Sequence, residues 1–199
     1  RRLFDRLSIT PDDITCKDDL CKLPILTRDE LREHFNDILA KNIPRRRIFV
    51  DHTSGTTGTQ RTIHIDLNCL QYNFALIARA REWADVDFLP RRASMRGRLI
   101  VPVEQNTLPF WRYNRGEDQL LLSSYHLSPE HILSYVNKLI HFKPQLVDGY
   151  PSAIYTLARL MEMQGLNYFY PKAVMTDSET LLAYHRQCIE ENFKCQVFD

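Results

Sequence analysis

Glycine is scarce in this chain, at 6 of 199 residues, and no Gly-x-y period runs through it, so a collagen-like rod is excluded. Neither sign of charge dominates. Lys plus Arg number 26 and Asp plus Glu 25, and the resulting net charge of +1 lacks the basic excess of a nucleic-acid binder. Long hydrophobic runs are missing too: the apolar stretch at 99–103 is far short of the roughly 20 residues a membrane span needs. The five cysteines (Cys16, Cys21, Cys69, Cys188, Cys195) form no Cys-x-x-Cys pair, which argues against a disulfide framework and a zinc site. Free thiols in a reducing cytoplasm are expected. The histidines are dispersed, and His126 and His131 miss the i, i+4 spacing of a zincin helix, so no metal is assigned. No signal-peptide pattern opens the chain, and Arg1 in place of Met points to a piece of a longer protein. What is present is 44% apolar residues over a length that supports a sizeable core.

Residues 1–26 are polar and turn-rich, with Pro11 and Pro24. Thr27 then reads as an N-cap with Glu30 at N3, a capping box, and Leu26 with Leu31 as a hydrophobic staple, for a helix running to about Ala40. Residues 47–51 and 61–65 read as short strands flanking a small-residue loop, and apolar residues at helical spacing predict a helix over 67–84. A basic stretch at 91–98 leads into an expected strand at 99–103, followed by an aromatic-rich, irregular segment at 104–126.

The last third is the most regular. Ser128, Pro129 and Glu130 start a helix, 145–148 is a strand, and 152–164 is a helix closed by Gly165. A strand at 172–176, a helix at 179–193 and a strand beginning at Cys195 follow. The β-α-β-α-β alternation predicts an α/β fold, a parallel sheet with helices on both faces. Ligands of such sheets bind beyond the carboxyl ends of the strands, and the chain stops where one such loop is expected.

Chemistry concentrates in Thr53, Ser54, Gly55, Thr56, Thr57, Gly58 and Thr59. Two glycines allow a tight turn with converging N–H groups, and the hydroxyls add donors, an arrangement suited to phosphate oxygens. Each hydrogen bond to a charged acceptor contributes roughly 1.5–3 kcal/mol, so several hold a triphosphate tail. It is not a Walker A loop, since two residues rather than four separate the glycines and no Lys follows. A plain hairpin turn rich in small residues is the competing reading of these residues.

The loop Ser54–Gly58, flanked by threonines, resembles the signature phosphate loop of the adenylate-forming superfamily, within it the phenylacetate-CoA ligase branch and its CapK-like relatives in capsular polysaccharide biosynthesis. Three further segments carry the resemblance, in the same order. Residues 14–31 are similar to the family's "lP.ltk.dl" lead-in, Gly149-Tyr150-Pro151-Ser152 to its "GYPS…la" segment, and Thr176-Asp177-Ser178-Glu179 with Leu181 to its "tsgE.L" segment. The chain departs from the pattern at Gln60 and Arg61, which replace the usual Pro-Lys; Arg and Lys differ where geometry is tight.

The resemblance implies residues 1–199 as an incomplete N-terminal large domain: a helical lead-in (1–45), a phosphate-loop region (46–127) and a β-α-β-α-β subdomain (128–199). The family's C-terminal lid, with its catalytic lysine, is absent from the chain. It also implies a ligase that joins a small-molecule carboxylate to ATP with magnesium and passes the acyl group to a thiol such as coenzyme A, from the cytoplasm and as a possible homodimer. Thr53–Thr59 would hold phosphates, Asp177, Ser178 and Glu179 would line the nucleotide pocket, and Tyr150, Pro151 and Ser152 the substrate side. Bland alternatives stand beside these. Ser152 reads equally as an N-cap, Glu179 as a helix-start acid, Phe110, Trp111 and Tyr113 as packing rather than an aryl pocket, and the arginine clusters as solvated faces. The competing function is a degenerate relative that serves as a scaffold or binding module.

Overall fold

A computed structural model describes residues 2–52, 62–166 and 169–199. The phosphate-loop candidates Thr53–Thr59, with Gln60 and Arg61, lie outside the described residues. The chain divides into two compact units, Arg1–Ile48 and Phe49–Asp199.

In the first unit α1 (Arg2–Leu7), α2 (Arg28–Glu33) and α3 (Phe35–Ile38) are joined by 3-10 turns at Pro11–Asp13 and Lys17–Lys22. None of its described residues is fully buried, so local caps carry much of its order. Asp13 accepts from Thr10 N at 2.7 Å, and Asp19 from Thr15 N at 3.0 Å and Cys16 N at 3.1 Å. The expected box at Thr27 is formed: Glu30 Oε2 accepts from Thr27 N at 2.8 Å while Glu30 N donates to Thr27 Oγ1 at 3.3 Å. Leu26 of the expected staple stays 55% exposed. The single helix expected to Ala40 instead breaks at His34 (φ −103, ψ 19), because short helices depend on a packed face and this one has no fully buried residue.

The Thr27 backbone N–H, then its hydroxyl, holds the Glu30 carboxyl below its ordinary range. A depressed folded pKa stabilises α2 above the unfolded value, and that contribution is lost as pH falls through the folded pKa. NMR titration is therefore expected to show Thr27 and Glu30 amides losing protection only below the ordinary glutamate midpoint.

The second unit begins within β1 (Ile48–His52), which pairs with β2 (Thr62–Asp66). Asp66 caps α4 (Leu67–Trp83) by accepting from Cys69 N at 2.8 Å. Next come β3 (Arg92–Arg96), β4 (Trp111–Asn114), β5 (Gln119–Ser123), α5 (Ile132–Phe142), β6 (Leu146–Gly149), α6 (Pro151–Met163), β7 (Ala173–Thr176), α7 (Ala183–Phe193) and β8 (Val197–Phe198). Six strands form one sheet in the order β4-β5-β3-β6-β7-β8, parallel throughout except for β4. Side chains alternate across it. Val147, Val174 and Val197 join the core of α5, α6 and α7, whereas Leu146 and Ala173 face Ala84 and Val86 just past α4.

Four expectations are corrected here. The strand placed at 99–103 lies instead at 92–96: Pro102 has no N–H for a ladder, and Leu99 and Val103 are more than half exposed. The arginines of 91–98 are a solvated face only at Arg91 and Arg98, since Arg92 is 6% exposed and ion-paired with Glu117 and Arg96 is half-buried. The segment 104–126 holds β4 and β5 rather than irregular chain, while Phe110 packs as expected, in the core and stacked on His126 at 4.6 Å. The helix expected from Ser128 starts at Ile132, after a turn in which His131 N and Ile132 N donate to Ser128 O.

Lys143 and Lys194 end α5 and α7 at φ 53 and 54, where a Cβ is strained. Lys143→Gly and Lys194→Gly are each expected to stabilise the unit by about 0.5–1 kcal/mol, read as a raised urea midpoint.

Candidate functional site

The carboxyl ends of β3, β6, β7 and β8 lie side by side. The chain leaves β3 toward β5 on one side and β6 toward β7 on the other, so the order of connections reverses between β3 and β6. Such a switch point is where open α/β sheets form a crevice. Two backbone hydrogen bonds set its floor: Tyr150 N donates to Met95 O at 3.0 Å and Asp177 N to Gly149 O at 3.2 Å. Gly149 (φ 151) makes this approach feasible, because a Cβ there would sit 1.9 Å from Met95 O. Gly97 does the same beside Tyr150, whose Cε2 would lie 2.9 Å from an added Cβ.

Tyr150, Pro151 and Ser152 follow β6 and open α6; Asp177, Ser178 and Glu179 follow β7. The structure joins the two groups, for Ser152 N donates to Glu179 Oε2 at 3.2 Å. This corrects two readings. Ser152 is not the N-cap, a position held by Tyr150 with Pro151 at N1. Glu179 is not a helix-start acid of its own helix, since α7 begins at Ala183; it is an acceptor for the first turn of α6, where a negative charge is favoured. Ser178 takes φ 67, a left-handed conformation uncommon for a residue with a Cβ, at the place of the glycine in the family's "tsgE" segment. Its Oγ donates to Asp177 Oδ1 at 2.7 Å. Asp199 joins this edge by accepting from Thr176 Oγ1 at 2.6 Å.

A polar network that the sequence reading did not single out runs under this edge. Gln119 Nε2 donates to Ser94 Oγ at 2.6 Å, Ser94 Oγ donates to Asp148 Oδ1, and Arg96 Nη2 donates to Asp148 Oδ2 at 3.3 Å. Arg96 Nη1 then donates to Asp177 Oδ1 at 2.7 Å, so one guanidinium spans β6 and the loop after β7. Burial works against the charged form of Arg96, but Asp148 and Asp177 outweigh it and hold its pKa above the ordinary arginine value. The signal was present in the alternation Arg92, Ala93, Ser94, Met95, Arg96, polar on one face and apolar on the other.

The edge carries carboxylates at Asp148, Asp177, Glu179 and Asp199, of which Asp148 and Asp177 pair with Arg96. No group of three or more His, Cys, Asp or Glu converges on a metal position among the described residues. All five cysteines are free. Burial pushes the Cys195 thiol up to about 12 and also raises Cys188, so neither supplies a thiolate near neutral pH. No helix among the described residues is long and apolar enough to cross a membrane.

The fold is that of part of an acyl-CoA ligase. Of this chain, 99% superposes on 2-hydroxyisobutyryl-CoA ligase in the postadenylation state in complex with R3-HIB-AMP, with a TM-score of 0.60, 18% identity and 42% of that chain covered. The same ligase in complex with 2-HIB-AMP and CoA gives TM-scores of 0.53 in an open conformation and 0.52 in the thioesterification state, at 18% and 19% identity, over 47% and 43% of those chains. In sequence, the chain is 32% identical over 177 residues, 88% of its length, to Protein CapK of Staphylococcus aureus. No protein-family model matches it. The chain is thus similar in sequence to CapK and in fold to an acyl-CoA ligase, and it spans 39% of CapK's length and less than half of the ligase's.

Proposed function

We propose that this chain is the N-terminal core of an AMP-forming ligase that activates a carboxylate with ATP and transfers the acyl group to a thiol such as coenzyme A, in the manner of the phenylacetate-CoA ligases. The convergence of 149–152 with 176–179 carries the reading. The two segments are 27 residues apart where Ser152 meets Glu179, each resembles the family pattern, and they follow the neighbouring strands β6, at the switch point, and β7, beside it.

In the first step a carboxylate oxygen bonds to the α-phosphorus of ATP as the bond to pyrophosphate breaks; in the second, the thiol sulfur bonds to the acyl carbon and AMP leaves. Alignment and charge neutralisation do most of such work, with little covalent chemistry from the protein. Thr53–Thr59 would hold the β- and γ-phosphates, Asp177, Ser178 and Glu179 would line the nucleotide, and Tyr150, Pro151 and Ser152 the acyl side. The oxygen donors of Asp177 and Asp199 suit magnesium, which binds through one or two carboxylates together with substrate phosphates rather than in a protein cage. Magnesium would neutralise phosphate charge.

Incubating the full-length gene product with ATP, magnesium and a panel of aryl and aliphatic carboxylates is expected to release pyrophosphate with one of them. A scaffold role is favoured by Gln60 and Arg61 in place of Pro-Lys and by Ser178 at a left-handed position. ATP binding without pyrophosphate release across the whole panel would decide for the scaffold.

A further inference from the structure

We propose that Arg96 is a positioning residue that sets the conformation of the loop 177–179 from beneath, and with it the nucleotide side of the site; what the loop serves rests on the ligase reading above. Arg96 ends β3, next to β6 and at the switch point, and its guanidinium holds Asp148 on β6 and Asp177 after β7. Asp148 is fixed in turn: its carboxylate accepts from Ser94 Oγ, which accepts from Gln119 Nε2, so Arg96 is braced against β3, β5 and β6. The loop is held at one end by Arg96 on Asp177 and at the other by Ser152 N on Glu179. Between those two ties stands Ser178 in its left-handed conformation, which a loop without anchors would relax.

Arg96 is not an anion receptor. Two carboxylates already face it, and the pair outweighs its single charge. Its planar fork suits a bridge between two acids, whereas a lysine offers a point charge.

The test uses the full-length protein and two independent readouts. Hydrogen exchange without any ligand should show the amides tied to the loop, Asp177 N on Gly149 O and Ser152 N on Glu179, in Arg96→Met opening about tenfold or more faster, the loss expected for a charge-assisted hydrogen bond, with β7 and α7 unchanged. In turnover, KM for ATP should rise by about the same factor with a smaller change in kcat, and Arg96→Lys should recover part of it. Because Arg96→Met leaves Asp148 buried beside fewer cations, Arg96→Met with Asp148→Asn serves where the single variant folds poorly, and Asp177→Asn cuts the tie from the loop side. Exchange at the Asp177 and Ser152 amides matching wild type in these variants, or loosening spread evenly over the sheet, would overturn the proposal. Loop-confined loosening in a protein that releases no pyrophosphate would keep the positioning role and overturn the ligase reading instead.

Discussion

Gly149→Ala is expected to cost the sheet about 3 kcal/mol or more, since a strained backbone angle and overpacking against main chain each contribute about 1–3 kcal/mol. The new methyl would stand 1.9 Å from Met95 O and 2.7 Å from its carbonyl carbon, and neither can rotate away as a side chain would. Met95 O is also the acceptor for Tyr150 N, so relief by moving β3 would break the contact that starts α6. Urea unfolding followed by circular dichroism should show the midpoint falling sharply. Gly116→Ala is the control, because its Cβ would meet only Asn114 Oδ1 at 3.5 Å, an ordinary contact. If the two variants unfold at the same urea concentration, the close approach of β3 and β6 is not as described.

The second large effect is expected at Asp148. This carboxylate is 8% exposed and lies 3.3 Å from Arg96 Nη2 and 3.9 Å from Arg92 Nε, while Arg92's side chain is only 7% exposed. Asp148→Ala removes the inner partner of a buried cation and leaves Arg92 to Glu117 alone, whose side chain is 49% exposed. Breaking a buried pair from one side costs about 3–5 kcal/mol, and the solvent-facing Glu117 should hold the loss to about 3. Asp148→Asn keeps an acceptor for Ser94 and should fall between. Adding Arg92→Met to Asp148→Ala should return part of the stability, because both charges then leave together. An alanine variant that melts at the wild-type temperature would show that the cluster is solvated rather than buried.

The C-terminal half was legible in sequence because its period and punctuation agree. Alternating runs, with Gly165 closing the helix between two of them, mark β6 through β8 and their helices to within a few residues, and the strand-end loops follow from that order. Helix starts were less legible: Ser128 and Glu179 carry capping chemistry, yet both are used by turns before the helix. The middle failed for a different reason. Hydrophobicity pointed to 99–103, whereas the central strand is Arg92–Arg96, whose two cations are tolerated by acids brought from Glu117, Asp148 and Asp177. No local pattern announces partners that distant. The same holds for the candidate site, where Tyr150–Ser152 and Asp177–Glu179 could be chosen from their segments but Arg96 becomes visible only once β3 lies beside β6.

The position of β3 bears on how the chain acquires its shape. Ser94 meets Gln119 across 25 residues and Asp148 across 54, so neither neighbour is local. A loop of 54 residues must close before the inner flank of β3 gains any contact, and the entropic cost of closure precedes its reward. As the chain emerges from the ribosome, the strand that later occupies the middle of the sheet is made before either of its neighbours and waits for both.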